Sequence, residues 1–375
     1  MRLIYFAPVP YMSYWQRPHF MIRSLLGRTY REIYWIDPTI TRLPRWSDLR
    51  RPEAKKEHLT AEPLLKGLHV LKPGGLPVEP LPGINLVNDY FSWRQIKSQL
   101  RALNVDQTWD IGIGRPSRLA LWAVRSLPVR AAFMDVMDDF PAFYQGLSRA
   151  SMKRTENALL EQCDYFFCSE QSLIGKLQQS GLRKPVNLVP NGYDMQRLPA
   201  ISSSPKSNTI GFVGTIAGWF DWKIVIEMAK ALPHVNIRLI GPRVGHVPLH
   251  LPTNIELLPP CLVADAIRHS QEFKVGLIPF LNNQLTESVD PIKYYELRAL
   301  GVPVWSTAFG SMKNRLQEQG VSHIHSGADW QKLWASLPTT NPDMQHIQSF
   351  RDSHDWEQRF RDIPAWLGLA SASRD

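Results

Sequence analysis

Short apolar runs alternate along this chain with stretches whose apolar residues recur every three or four positions, which predicts strands and helices in turn. In the first half, strands are expected at 2–7, 32–36, 110–113, 131–134, 165–168 and 186–189, with weaker ones at 69–71 and 84–87. Helices are expected at 19–26, 91–103, 117–126, 153–163 and 171–179. The helix at 91–103 is amphipathic, with Trp93, Ile96 and Leu100 on one side and Arg94, Lys97 and Arg101 on the other. Residues 38–66 read as irregular and basic, and the Ser/Pro-rich stretch 201–208 reads as a linker. The alternation then restarts. Strands are expected at 209–213, 236–240, 255–258, 275–278 and 302–306, and helices at 221–232, 264–273, 291–300 and 330–337. A largely helical tail at 344–367 carries Trp356, Phe360 and Trp366.

This pattern predicts an α/β protein of two Rossmann-like, doubly wound parallel-sheet domains, for which 375 residues are sufficient. The expected division is 1–200, 201–345 and a closing segment 346–375. Open parallel sheets bind ligands beyond the carboxyl ends of their strands, and two such domains facing each other would make a deep cleft.

Charge changes this picture more than composition does. A 44% hydrophobic and 21% charged chain excludes wholesale disorder. The net charge of +9 is unevenly placed: residues 1–200 hold 27 Lys and Arg against 18 Asp and Glu, and the remainder holds 16 of each. A one-sided positive field favours a polyanion, whether nucleic acid, an anionic membrane or a phosphate-bearing substrate. Three cysteines cannot all pair and lack zinc spacing, which suits a reducing cytoplasm. The N-terminal stretch does not read as a signal peptide, and no run of 18 apolar residues is present. No phosphate-loop, HExxH or GxSxG motif occurs, so no metal is expected. Gly112-Ile-Gly114 lacks the third glycine of a dinucleotide site.

The most informative stretch is 275–307. An apolar strand leads through a polar loop to Asp290, a helix-capping residue type, then Pro291 at a first helical position, and Gly301 where the helix should stop. Lys293 and Glu296, three apart, share a face near that helix's N-terminus. A helix start with an added lysine suits a diphosphate, and a carboxylate one turn on can bind vicinal ribose hydroxyls. The same pair also reads as an exposed Lys–Glu contact on an ordinary capped helix.

The string Asp290-Pro-Ile-Lys-Tyr-Tyr-Glu-Leu-Arg-Ala-Leu-Gly-Val-Pro-Val resembles the P-x-K-x-x-E-x-x-A-x-G-x-P-V signature of GT-B glycosyltransferases of the broad family-4-like group. Val189-Pro-Asn-Gly-Tyr-Asp194, Gly211-Phe-Val-Gly-Thr215 and the Trp15-Gln-Arg17-Pro loop resemble further motifs of that group, the last one those of bacterial polysaccharide and teichuronic-acid-type transferases. The resemblance implies a GT-B fold with an N-terminal acceptor-binding domain, a C-terminal nucleotide-sugar-binding domain, and a C-terminal helix crossing back to the first. It implies transfer of a sugar from a nucleotide diphosphate, UDP or GDP, without cofactor or metal, to a glycan or lipid-linked acceptor. On this reading Glu296 holds the ribose, and Gly214, Thr215, Arg243, Asp290 and Lys293 bind the donor. The chain departs from the pattern at Ser288, where a first glutamate is usual, and after Gly214, where an Arg and a Lys are usual.

Asp135, Asp138 and Asp139 follow the 131–134 strand, and Asp138 or Asp139 is the expected general base. His19 is an alternative base, and Trp15 and Arg17 are expected to contact the acceptor. Thr286, Glu287 and Trp219 lie in loops suited to sugar contacts. The basic-aromatic segments 41–56 and 91–101 are expected to rest on anionic lipid at the inner face of the cell membrane. Two other readings are a GT-B subunit that binds without catalysing, and a nucleic-acid-binding protein, which would leave the 290–296 segment unexplained.

Overall fold

The apolar run that opens the chain becomes β1 (Arg2–Phe6), the middle of a parallel seven-stranded sheet ordered β3-β2-β1-β4-β5-β6-β7. Its other strands are β2 (Glu32–Ile36), β3 (Leu68–Leu71), β4 (Trp109–Ile113), β5 (Ala131–Val136), β6 (Tyr165–Cys168) and β7 (Val186–Leu188). Strands β4 and β5 are buried throughout, as expected of parallel strands covered on both faces. Helices α1 (Arg17–Leu25), α2 (Ile84–Val87), α3 (Arg94–Ala102), α4 (Arg118–Ser126), α5 (Gly146–Gln162) and α6 (Gln171–Gln179) alternate with them. Ile4, Ile111, Met134, Phe166, Trp93 and Leu159 share one core. This computed structural model describes residues 1–39, 63–76, 80–201, 206–315, 317–338 and 343–369.

The alternation restarts in a second parallel sheet, ordered β10-β9-β8-β11-β12-β13. Its strands are β8 (Thr209–Val213), β9 (Asn236–Ile240), β10 (Ile255–Leu258), β11 (Val275–Ile278), β12 (Val304–Ser306) and β13 (Val321–His323). Helices α7 (Trp222–Ala231), α8 (Val263–Glu272), α9 (Ile292–Ala299), α10 (Trp330–Ala335) and α11 (Met344–His354) accompany them. The Asp221 side chain caps α7 by accepting from the Ile224 N–H at 3.1 Å. In each sheet the strand order reverses direction at one place, between β1 and β4 and between β8 and β11. These reversals are the ligand-binding positions of doubly wound sheets.

Three local expectations are corrected. Residues 84–87 form α2 rather than a strand, and the chain continues as a π-helical turn over Asn88–Ser92 before α3. Gly83, at φ +91°, turns the chain into α2, and Asn88 is tied to Leu76 through both its N–H and its C=O. Strand β13 went unforeseen because it has three residues, of which only Val321 is buried.

The third correction concerns the division of the chain. One compact unit is Met1–Pro190 with the chain from Arg359 on, and the other is Asn191–Gln358. The break falls after Pro190 rather than at the Ser-rich linker, of which 202–205 lie outside the described residues. Asn191 is bonded to Asp290, and the Tyr193 C=O accepts from the Trp356 N–H at 3.0 Å, so the stretch past Pro190 belongs to the second sheet's core. Helix α11 stays there too: Phe350 packs on Tyr294, and Arg351 Nε donates to the Ala299 C=O at 2.7 Å. Only the segment from Arg359 on joins the first unit, where Trp366 lies against Phe167 and the Leu367 C=O accepts from Arg130.

Candidate active site

In the second unit the strand reversal places the ends of β8 and β11 side by side. Beyond β8, the Gly214 N–H donates to the Ile240 C=O at 2.9 Å. Gly241 has φ +142°, and a Cβ there would lie 2.1 Å from the Gly214 carbonyl oxygen, so only glycine lets the chain after β9 run this close. That run continues as a parallel bridge between Ile216 and Arg243, through Ile216 N to Pro242 O at 2.9 Å and Val244 N to Ile216 O at 2.8 Å. Thr215 and Arg243 are thereby brought to adjoining stretches of backbone. Arg243 is exposed and Thr215 half-buried, and neither side chain bonds to any other described residue. A hydroxyl and a guanidinium left unspent at a strand reversal suit phosphate oxygens.

The loop after β11 is anchored to the one after β8 by Asp221 N to Pro279 O and Leu281 N to Trp219 O, both 2.7 Å. Trp219 is half-buried in this junction. Thr286 is 1% exposed, and its hydroxyl donates to the Leu281 C=O and accepts from the Asn283 N–H. It builds the loop, so its expected sugar contact is corrected. Glu287 is exposed, while Ser288 is buried.

Asp290 does not cap its helix. Pro291 occupies the N-cap position and α9 begins at Ile292. The Asp290 carboxylate, 4% exposed, instead accepts from the Asn191 N–H at 2.7 Å, Tyr295 OH at 2.9 Å, Ser311 Oγ at 2.7 Å and Arg315 Nη2 at 2.7 Å. The Asn191 side chain returns a bond to the Asp290 C=O at 2.6 Å. With its oxygens spent in this way, Asp290 is a positioning group rather than a donor ligand. It fixes the start of α9, on which Lys293 Nζ and Glu296 Oε2 pair at 2.5 Å with both side chains about a third exposed, at 34% and 39%. Lys293 also lies near enough to Cys261, in the loop after β10, for its charge to offset part of the upward push that burial and Asp265 give that thiol.

In the first unit, two expected functional groups prove structural. Arg17 is 1% exposed. Its Nε lies 3.0 Å from both Asp135 oxygens, its Nη2 lies 2.7 Å from Oδ1, and its Nη1 donates to the Val189 C=O at 2.6 Å. The ring of Phe360 covers the guanidinium at 5.4 Å. A guanidinium consumed in this way cannot receive an acceptor phosphate. His19, also 1% exposed, accepts from the Gln16 N–H on Nδ1 and donates from Nε2 to the Tyr11 C=O, both at 3.1 Å. Both ring nitrogens are committed, so His19 is no general base. Its ring stacks on half-buried Trp15 at 5.7 Å and lies tilted against Trp35 at 4.8 Å.

The carboxylates after β5 separate in the same manner. Asp135 belongs to Arg17, and Asp139 Oδ2 pairs with Lys176 Nζ at 3.0 Å. Asp138, half-buried, accepts no hydrogen bond from any described residue. Burial pushes its carboxyl up to about 7, the charge of Asp139 adds to this, and Arg17 offsets part of it. Two residues of interest carried no motif. Arg115, 5% exposed, follows β4 at the strand reversal and donates to Tyr144 OH at 3.1 Å; its place just past a strand ending in Gly114 was the available signal. Arg315, which closes the Asp290 network, had none. Gly112 and Gly114 are explained by packing, since a Cβ at Gly114 would lie 2.4 Å from Tyr5 OH. Segment 41–56, expected on lipid, lies outside the described residues.

No known family profile matches the chain. Over 244 residues it is 24% identical to TuaH of Bacillus subtilis, whose name provisionally assigns it to teichuronic acid biosynthesis as a glycosyltransferase. That match takes in 59% of this chain and spans only 61% of the relative's length. Among solved structures, sucrose-phosphate synthase from Thermosynechococcus elongatus superimposes with a TM-score of 0.67 over 98% of both chains, at 12% identity. HepE of Anabaena, solved with UDP and glucose, superimposes with a TM-score of 0.61 over 99% of this chain and 100% of its own, at 14% identity. The two doubly wound sheets, in this order and at these sizes, have the GT-B glycosyltransferase fold.

Two outcomes follow from this geometry. Asp290→Ala strands Arg315 beside buried partners and should cost about 3–5 kcal/mol in denaturant unfolding, whereas Glu296→Gln, in an exposed pair, should cost under about 0.5 kcal/mol. Equal costs would show that Asp290 does not organise the unit. The second outcome concerns pH. With a folded pKa of about 7, above the ordinary carboxylate range, Asp138 favours the folded state while protonated and loses that contribution as pH rises through 7. The stability of Asp138→Asn relative to wild type should therefore increase from about pH 4 to about pH 7 and stay level above that. A constant difference would contradict the environment described for Asp138.

Proposed function

We propose that the chain is a nucleotide-sugar-dependent glycosyltransferase acting on a glycan acceptor, lipid-linked or polysaccharide. The observation that carries this is the pair Thr215 and Arg243, both without partners among the described residues, set together at the strand reversal of the second sheet. Helix α9 starts at the same carboxyl edge, because it follows β11 in a parallel sheet, and it brings Lys293 and Glu296. In the proposed reaction the acceptor hydroxyl oxygen bonds to the anomeric carbon and the bond from that carbon to the donor phosphate breaks. The nucleoside diphosphate leaves with the electron pair. Arg243, Lys293 and the Thr215 hydroxyl stabilise its charge. Glu296 takes the ribose hydroxyls by exchanging part of its contact with Lys293. Asp138 accepts the hydroxyl proton, which it can do at neutral pH because its pKa is near 7. Divalent metal has no assigned role, and UDP and GDP are the donors we favour. The 24% identity to a protein provisionally named a teichuronic acid biosynthesis glycosyltransferase supports a bacterial polysaccharide acceptor.

One observation favours a second reading, a subunit that binds without transferring: Ser288 stands buried where the related motif has its first glutamate. Thermal shift with UDP, GDP, dTDP, CMP and ADP separates the two together with turnover. A nucleotide at a hundredfold its Kd should stabilise by about 2.7 kcal/mol. Glu296→Ala should abolish that shift. Asp138→Asn should keep it while lowering kcat by about 10²–10⁴-fold. A shift with no transfer from any donor would select the second reading, and wild-type kcat in Asp138→Asn would remove Asp138 as the base.

A further inference from the structure

The segment 84–102 of the first unit is built inside out at its start. The positions turned inward are Asn85 and Asn88, 6% and 0% exposed, while Leu86, Val87, Tyr90 and Phe91 stand 57%, 41%, 73% and 64% exposed. The asparagines accept this because they are bonded: Asn88 joins the Leu76 backbone by two bonds, and Asn85 Nδ2 donates to Ser151 Oγ at 3.3 Å. Residues 86, 87, 90, 91 and 94 recur at helical spacing, so the four apolar side chains and exposed Arg94 form one outward stripe. Tyr90 and Phe91 contact each other edge to face at 5.3 Å. Further along, in α3, the ordinary arrangement returns, with Ile96 and Leu100 inside. An apolar stripe that displaces polar residues into the core is not a by-product of core packing.

We infer that this stripe is a membrane-inserting surface, and that its partner is the interfacial layer of an anionic bilayer. The inference deepens the lipid-linked-acceptor reading above and rests on it for its purpose, though not for its test. Aromatic and aliphatic side chains beside a cation are the composition that enters the headgroup boundary. The charge is complementary: residues 84–102 hold Arg94, Lys97 and Arg101 against Asp89 alone. Asp89, the acidic residue within the segment, is neutralised by Lys97 at 2.6 Å and Arg118 at 3.2 Å, and Arg94 bonds to no described residue. A groove of about 530 Å³ runs along a neighbouring face of the same segment, at Ser92, Gln95 and Gln99. Lys72 also lines it, and Met12, Leu64, Val70, Leu71 and Ile96 contribute apolar surface, with Met12 and Leu64 48% and 57% exposed. A second copy of the chain fits less well. A stable dimer needs about 20–30 residues a side, far more than this stripe offers.

Cosedimentation of the full chain with phosphatidylglycerol/phosphatidylcholine vesicles and with pure phosphatidylcholine vesicles tests this. Wild type should pellet with the anionic vesicles and weakly with the neutral ones. Tyr90→Ser with Phe91→Ser should bind the anionic vesicles about tenfold more weakly or less, and Arg94→Glu should lose the preference for them. Both variants alter exposed side chains, so an unchanged melting temperature without ligand is expected and marks them as folded. If the double variant melts early, Leu86→Ser with Val87→Ser takes its place. Undiminished binding in a folded variant, or no binding by wild type, overturns the inference. So does a wild-type dimer in sedimentation velocity that the substitutions dissolve, since that gives the stripe to a second copy. The transferase reading stands or falls separately, on the nucleotide shifts, which these substitutions should leave in place.

Discussion

A carboxylate as buried as that of Asp290 has to be met by donors, and it draws them from three separate stretches of chain: the Asn191 backbone, Tyr295 within α9, and the Gly310–Arg315 turn. The requirement is severe because an unpaired buried charge costs several kcal/mol. Once it is met, the first turn of α9 has one position relative to the sheet. Lys293 and Glu296 then need no further packing to be held in place, and they can stay at the surface, paired only with each other. The division of labour is physical. The group that fixes geometry is withdrawn from solvent, and the groups proposed to meet the donor are left in it. Asn191 also explains why the second unit begins where it does, since the residue after Pro190 is already bonded into this network.

The same sorting operates after β5. Three aspartates within five residues looked equivalent as sequence. The structure gives Asp135 to Arg17, Asp139 to Lys176, and Asp138 to none of the described residues. An aspartate with a fixed cation beside it is committed to that cation and contributes position. One that is half-buried, unpartnered and next to another negative charge has its proton affinity raised toward neutrality, the condition a base needs. Arg17 and His19 illustrate the converse. Their residue types suit chemistry, but every nitrogen described is spent on Asp135, Val189, Gln16 or Tyr11.

Legibility followed from periodicity and failed with tertiary partnership. The parallel strands were readable because both faces are covered, so runs such as 131–134 and 275–278 are apolar without interruption. Helices α4 and α7 were readable from their recurring apolar positions, and in the structure Ser117 and Asp221 cap them. Residues 84–87 were misread because Ile84, Leu86 and Val87 around Asn85 suit a short strand, whereas here Leu86 and Val87 face outward and Asn85 faces in. The Thr215–Arg243 juxtaposition depends on Gly241 letting two loops touch, a contact between residues far apart in sequence. Which of several Asp, Arg and His residues remains available is likewise decided by neighbours that no local pattern reveals.

The charge asymmetry of the chain acquires a structural meaning from the same comparison. In the second unit, basic side chains near the carboxyl edge of the sheet are few, and Arg243 stands alone in its loop, as a small, doubly charged ligand would require. In the first unit, Arg94 shares an exposed stripe with apolar side chains that the fold has turned outward, while Lys97 and Arg101 lie over the Trp122 ring. A field of single charges over an apolar stripe matches a surface of many headgroups, each bound weakly, rather than one tight anion. The two units thus carry positive charge in two forms, focused in the second and dispersed in the first. The proposed transfer, from a soluble anionic donor to an acceptor held in a lipid surface, calls for both.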